Sequence, residues 1–339
     1  MPRASAGAAS TDPTLAGENE RLLARIAWSY HVEGLTQGAV AERLGVTRLR
    51  VNRALADARR LGLVRVALST RFAPCIEAET GLVERFGLTR ALVAPTPLAV
   101  GAEDDAEVQD TVGAMLGHHF TERLADPSLR LLGMSWGGTL NAATRHVVPP
   151  SRPDLEIVSV MGGLTRGSEL NTFEITTRLA GLCGASHSYF PAPIYAGSRA
   201  SRDTIMGLDV FAEVLSKIRR ADALALAAGD LSPRSLLMRD GLPADVTIAE
   251  LVEAGGIGDV LGTVLAADGR PVDHPLNERR IGLALDDLAA IPDVILAAGG
   301  LHKVPIMRAL LARGHVDTLV TDERTATALL GEAGAGPGR

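Results

Sequence analysis

The 339-residue sequence contains only two cysteines, and its 34 basic side chains include only two lysines. Cys75 and Cys183 are too few for the disulfide framework of a small secreted domain, and neither stands at metal-ligand spacing. Both read as core thiols, and no metal site is expected. No stretch reaches the ~18 uninterrupted apolar residues of a membrane-spanning helix. Residues 1–17 are rich in Ala, Gly, Ser and Thr without an apolar signal core, so the expected location is cytoplasmic, away from membranes. Zinc-protease, Walker A and nucleophile-elbow patterns are missing. Gly133-Met134-Ser135-Trp136-Gly137 has a Gly-x-Ser-x-Gly outline but no compelling His and Asp partners. No catalytic residue and no cofactor is therefore assigned.

What is present is the balance of a folded protein, 46% hydrophobic and 22% charged. The length is about twice the ~150 residues usual for one domain, so two domains are expected. A net charge of −6 conceals an asymmetry. Residues 21–71 hold ten arginines against three acids, a local +7, which leaves −13 for the rest. A small basic unit joined to a large acidic one suggests a polyanion-binding module attached to a part that does not touch nucleic acid.

Within the basic part, Leu22, Leu23, Ile26, Ala27 and Tyr30 mark one face of a helix over residues 18–32. Thr36 and Thr47 are each suited to cap a helix start, and Gly45 permits a left-handed turn between the two helices. Small Ala41 allows close approach, with Val40, Leu44, Val46, Val51 and Leu55 as a small core. These are the requirements of a helix-turn-helix, whose second helix (residues 47–61) would lie in the major groove. Thr36, Gln37, Thr47, Arg48, Arg50, Asn52 and Arg53 are the candidate DNA contacts. Arginine matches guanine and asparagine matches adenine in bidentate fashion. Arg60, with Arg59 and Arg65, suits phosphate. Residues 63–68 alternate enough for a wing strand. Gly38 costs the first helix about 1 kcal/mol relative to alanine, so packing must hold that helix.

Beyond Pro74 the chain repeats strand, glycine loop and helix, the pattern of parallel βα units. Three units stand out: strand 129–135 before Trp136-Gly137-Gly138-Thr139, strand 155–161 before Gly162-Gly163, and strand 293–298 before Gly299-Gly300-Leu301-His302-Lys303. Loops at the carboxyl ends of parallel strands share one edge, so the three are expected to share a pocket suited to a phosphate or carboxylate. Any one glycine pair alone is better explained as turn chemistry; the three together shift the balance toward a shared pocket. Lys303 opens a helix where this arginine-rich chain could have used arginine, which points to a compact ammonium. Lys217 lies in a solvated-looking helix and receives no role. Asp259 and Asp230, each near glycine turns, are weaker candidates, and adjacent His118 and His119 diverge on a helix and are no metal pair.

These features together resemble the SorC-type sugar-binding transcriptional regulators over nearly the whole chain after residue 20. The resemblance rests on Arg25-Ile26-Ala27-Trp28, Gly34-Leu35-Thr36-Gln37, the 133–139 and 161–164 loops, Gly258-Asp259, Gly299-Gly300 with Lys303, and Leu319-Val320-Thr321-Asp322-Glu323 with Ala326. Residues 1–19 are expected to be a disordered tail, and the resemblance implies a winged helix-turn-helix DNA-binding domain (20–71) and an effector-binding and oligomerisation domain (72–335). The last is expected to be a Rossmann-like α/β domain of the sugar-phosphate isomerase/deaminase type. It further implies a double-stranded DNA operator, a sugar or phosphosugar effector, a dimer or tetramer, and no enzymatic activity. Carried over by motif, Gly137, Gly138 and Thr139 hold the effector's phosphate end. Gly162, Gly163, Arg166, Asp259 and Lys303 close around the remainder. Ala227-Ala228-Gly229-Asp230 departs from the family's usual Gly-x-Gly turn. The alternative is a sugar-phosphate isomerase- or deaminase-like enzyme with a helical appendage.

Overall fold

The computed structural model describes residues 13–61, 63–64, 72–96, 105–164 and 172–331. The chain divides into two compact units, Met1–Thr70 and Arg71–Arg339.

The first unit carries α1 (Pro13–His31), α2 (Gln37–Leu44) and α3 (Arg48–Arg60). Residues 13–19, expected as part of a disordered tail, instead open α1. The expected caps form: Thr36 Oγ1 accepts from Ala39 N at 3.2 Å and Thr47 Oγ1 from Arg50 N at 3.2 Å. Gly45 adopts φ 66°, and Val46 N–H donates back to Ala41 O at 2.9 Å, closing α2 and starting the turn. Leu23, Ile26, Val40, Ala41, Val51, Ala54 and Leu55 form the core, with Leu44 and Val46 packed at its edge. Arg65 and most of the expected wing strand lie outside the described residues.

The second unit begins with α4 (Ala73–Phe86), β1 (Arg90–Ala94), α5 (Asp105–Ala125), β2 (Leu131–Met134), α6 (Gly138–Ala143), β3 (Glu156–Ser159) and α7 (Thr172–Cys183). It continues with β4 (Ser186–Ser188), α8 (Arg199–Met206), α9 (Asp209–Ile218), β5 (Ala223–Leu226), β6 (Ala228–Asp230), α10 (Ile248–Glu253), β7 (Gly258–Val260) and β8 (Thr263–Leu265). α11 (Pro275–Glu278), β9 (Val294–Ala297), α12 (Val304–Leu311), β10 (Thr318–Asp322) and α13 (Glu323–Leu330) complete it. Among the described residues, seven strands pair in parallel in the order β1-β10-β9-β5-β2-β3-β4, and β6-β7-β8 form a small antiparallel sheet. β5, β9 and β10 are buried at every position, as strands covered by helices on both faces must be. Cys75 and Cys183 are buried free thiols.

From β2 the chain moves outward through β3 to β4, then returns to place β5 on the other side of β2. The β2/β5 boundary is thus a topological switch point, where loops diverge and leave a crevice at the carboxyl ends of the strands. Behind it, α5 lies unusually close to α6. A Cβ on Gly113 would come 2.5 Å from Ala142 Cβ, and one on Gly117 would come 2.7 Å from His146 Cβ and 2.8 Å from Ala143 O.

Lys217, expected to be solvated, bonds Glu156 Oε1 at 2.7 Å and ties α9 to β3. On helix propensity alone, Gly113→Ala and Gly117→Ala should stabilise the protein by about 1 kcal/mol each. The contact with α6 reverses the sign: each is expected to lower the unfolding free energy by about 1–3 kcal/mol, measured by urea denaturation.

Candidate functional site

Three adjacent strands, β9, β5 and β2, deliver their loops to one cleft. Its lining runs from Ser135 to Thr139 after β2, from Ala227 to Asp230 after β5, and through His302 and Lys303 after β9. Asp259 of β7, Leu261, the 234–237 segment, Arg239 and Gln109 of α5 complete the wall. The open space, counted out to the solvent at its mouth, is about 870 Å³.

Glycine is required at several points of the wall and in the loop that leads to Lys303. Gly137 has φ 143°, and a Cβ there would meet Ala227 Cβ at 2.9 Å. A Cβ on Gly138 would lie 1.9 Å from Gln109 Oε1. Gly300, at φ 101°, carries the His302 ring directly over its Cα, leaving 2.6 Å to a built Cβ. Its N–H donates to Asp322 Oδ2 at 3.0 Å and Thr325 Oγ1 at 2.8 Å, so the start of α13 anchors the loop that presents Lys303. This explains why the Thr321-Asp322 motif accompanies the glycine pair: Asp322 caps α13 through Thr325 N at 2.9 Å and holds the neighbouring loop with its second oxygen.

Two carboxylates share the other side. β6 and β7 pair with Gly229 opposite Asp259, and a Cβ on Gly229 would sit 2.5 Å from Asp259 Oδ1 and 3.0 Å from Ser235 Oγ. Asp230 and Asp259 are both buried. Burial pushes the Asp259 carboxyl up to about 7; the Gly262 N–H, 3.3 Å from Oδ2, opposes this, the charge of Asp230 adds to it, and Lys303 counters it. Leu261 and Gly262 turn β7 into β8 with φ of 53° and 73°, the positive values a tight I′-type hairpin demands. Leucine is strained there, and it lines the cleft. Such a wall combines fixed amides and cations with carboxylates that accept hydroxyl groups.

Of the expected effector contacts, Gly137, Gly138, Thr139, Asp259 and Lys303 converge on this cleft. Gly162 and Gly163 do not. Gly162 is pressed against the backbone of Ala192 and Pro193, where a Cβ would meet Pro193 O at 2.2 Å. Gly163 N–H donates to Ala192 O at 2.8 Å and its carbonyl accepts from Ile194 N. These glycines serve backbone packing, and Gly163 faces a separate hollow beside Tyr195 and Arg279. Arg166 lies outside the described residues. Sequence reasoning missed Gln109, Trp136, Arg234, Ser235 and Arg239, and left His302 uninterpreted.

In the first unit, Thr36, Thr47, Arg48, Arg50, Asn52, Arg53 and Arg60 are exposed and Gln37 is half-exposed. Arg60 pairs with Asp57 at 2.9 Å. Leu49 is also exposed, at 59%, between Arg48 and Arg50. An apolar side chain at such a position matches a thymine methyl group, a contact that a search for polar residues does not reveal.

A basic helix-turn-helix in the same chain as an α/β unit with a switch-point cleft is the organisation of a ligand-responsive DNA-binding regulator. The family described as "Putative sugar-binding domain" matches residues 70–331. The erythritol catabolism regulatory protein EryD of Brucella abortus is 30% identical over 322 residues, covering 94% of this chain and 99% of that protein. The transcriptional regulator LsrR of Escherichia coli is 32% identical over 314 residues, covering 92% and 95%. The full-length sorbitol operon regulator SorC of Klebsiella pneumoniae shares the fold at a TM-score of 0.67 and 24% identity, over 93% of this chain and all of that one. The chain belongs to the SorC-type family of sugar-binding transcriptional regulators. Among the described residues, no helix is long and apolar enough to cross a membrane.

The raised Asp259 gives a pH test. Between the unfolded value of 3.8 and about 7 the folded chain holds a proton that the unfolded chain has released, so this residue's contribution to stability falls as pH rises through that window. Asp259→Asn should be more stable than wild type above pH 7, on the order of a few kcal/mol, with the gap closing toward pH 4. Denaturant melts of both proteins at pH 4, 5.5 and 7.5 read it directly.

Proposed function

We propose that the cleft binds a sugar, a polyol or one of their phosphate esters, and that this ligand changes the affinity of α3 for operator DNA. The observation that carries the reading is the cleft's mixed wall: Lys303 and the glycine-rich loops beside buried Asp230 and Asp259 suit a ligand with an anionic end and several hydroxyls. EryD's name associates that relative with a polyol, which favours the same chemistry. In this reading Gly137, Gly138 and Thr139 receive the anionic end, while Asp259 and Lys303 meet the remainder.

Thr36, Gln37, Thr47, Arg48, Arg50, Asn52 and Arg53 contact the operator, with Arg60 on phosphate. Dimers or tetramers present paired recognition helices to half-sites about 34 Å apart or a multiple of that spacing. The chain acts as a sensor in the cytoplasm and performs no turnover. A ligand regulates only through a difference in its affinity for the DNA-competent and DNA-incompetent states.

Two measurements test this. A thermal-shift screen over sugars, polyols and their phosphates should find a ligand that raises the melting temperature and is recovered unchanged; at ~100 times its dissociation constant it adds about 2.7 kcal/mol. Product formation would favour the isomerase or deaminase alternative. In operator titrations, Arg50→Ala and Arg53→Ala should each cost about 1–3 kcal/mol and relax base preference, whereas Arg60→Ala weakens all sequences alike. Wild-type affinity indifferent to both salt and sequence would refute the DNA assignment.

A further inference from the structure

Gln109 enters the cleft from within α5 and meets there the loop after β2 and the start of α6. Gln109, Gly113 and Gly117 are spaced i, i+4 and i+8 and so share one face of α5. The two glycines bring that face onto α6, and the carboxamide of Gln109 comes to lie on Gly138, with Oε1 at 1.9 Å and Nε2 at 3.4 Å from a built Cβ. Among the described residues no hydrogen bond engages this carboxamide. Contacts fix the order of groups along the wall. Gln109 lies on Gly138, the adjacent Gly137 abuts Ala227, and two residues on Gly229 lies beneath Asp259 and Ser235. The carboxyl groups of Asp230 and Asp259 line the same cleft on the β6–β7 side, beside Gly229, where they bond hydroxyls.

We propose that Gln109 is a specificity-determining contact that selects the charged end of the effector: its Nε2–H donates to a phosphate oxygen seated beside the carboxamide at the start of α6, with the hydroxylated remainder directed toward Asp230 and Asp259. A carboxamide presents an N–H in either orientation, because rotation about its last bond exchanges the two ends. Methionine at this position removes the donor at nearly constant volume. Glutamate keeps the shape and adds a charge that repels phosphate. The proposal rests on the cleft being the effector site.

The test is calorimetric titration of the full chain, wild type, Gln109→Glu and Gln109→Met, with erythritol 4-phosphate and sorbitol 6-phosphate. For whichever ester the wild type binds, the glutamate variant should bind at least fivefold more weakly and lose more than the methionine variant. A smaller loss in the glutamate variant, or an equal loss in both, would overturn the assignment. Binding of neither ester by the wild type overturns the phosphate reading of the cleft together with this proposal, whereas wild-type binding with insensitive variants overturns this proposal alone.

Discussion

The cleft depends on how closely α5 can approach the loops at the end of the sheet. Where α5 meets α6 it presents Gly113 and Gly117, and where it meets the loop after β9 that loop presents Gly299, whose built Cβ would strike Val108 and Val112 at 2.8 and 2.9 Å. At each contact one partner has given up its side chain. One helix thereby fixes two of the three loops that form the cleft, and it carries Gln109 into the wall. Interiors pack densely enough that one added methyl group must displace something, so this arrangement behaves as a rigid unit.

The electrostatics follow from that geometry. Asp259 is held under a tight hairpin with Asp230 nearby, away from bulk water, so near neutral pH its carboxyl lies close to the balance between neutral and charged forms. Either form bonds a hydroxyl group, as donor or acceptor. Lys303 is delivered by a loop whose anchor, Asp322, belongs to the next strand and helix, so the cation's position is set by elements that do not themselves line the cleft. Fixing charged groups in advance in this way lowers the ordering cost of binding.

The helix-turn-helix was legible in the sequence almost residue by residue. Its caps, glycine turn and core are local, and the spacing of Thr36, Gly45 and Thr47 specifies them without knowledge of partners. The parallel βα units were legible for the same reason. The grouping of loops was only partly so. Gly137, Gly299 and Gly162 look alike in sequence, yet Gly137 lines the cleft, Gly299 packs on Val108 and Val112 of α5, and Gly162 is pressed on the Ala192–Pro193 backbone; strand order decides this, and no single loop encodes strand order. Gln109 was invisible because helical periodicity reports a helix's own buried face and leaves the partner unidentified. The Gly113-x-x-x-Gly117 spacing was the available signal. Lys217 looked solvated for a related reason, since its partner Glu156 lies sixty-one residues away.

The central claim is that cleft occupancy and DNA affinity are thermodynamically linked, and linkage is reciprocal. The most direct measurement is the operator dissociation constant of the full chain with and without a saturating cleft ligand, paired with the ligand's dissociation constant with and without operator. The account predicts the same factor from both directions, about 5- to 150-fold. A ligand that binds the cleft tightly yet leaves both ratios at one would contradict it.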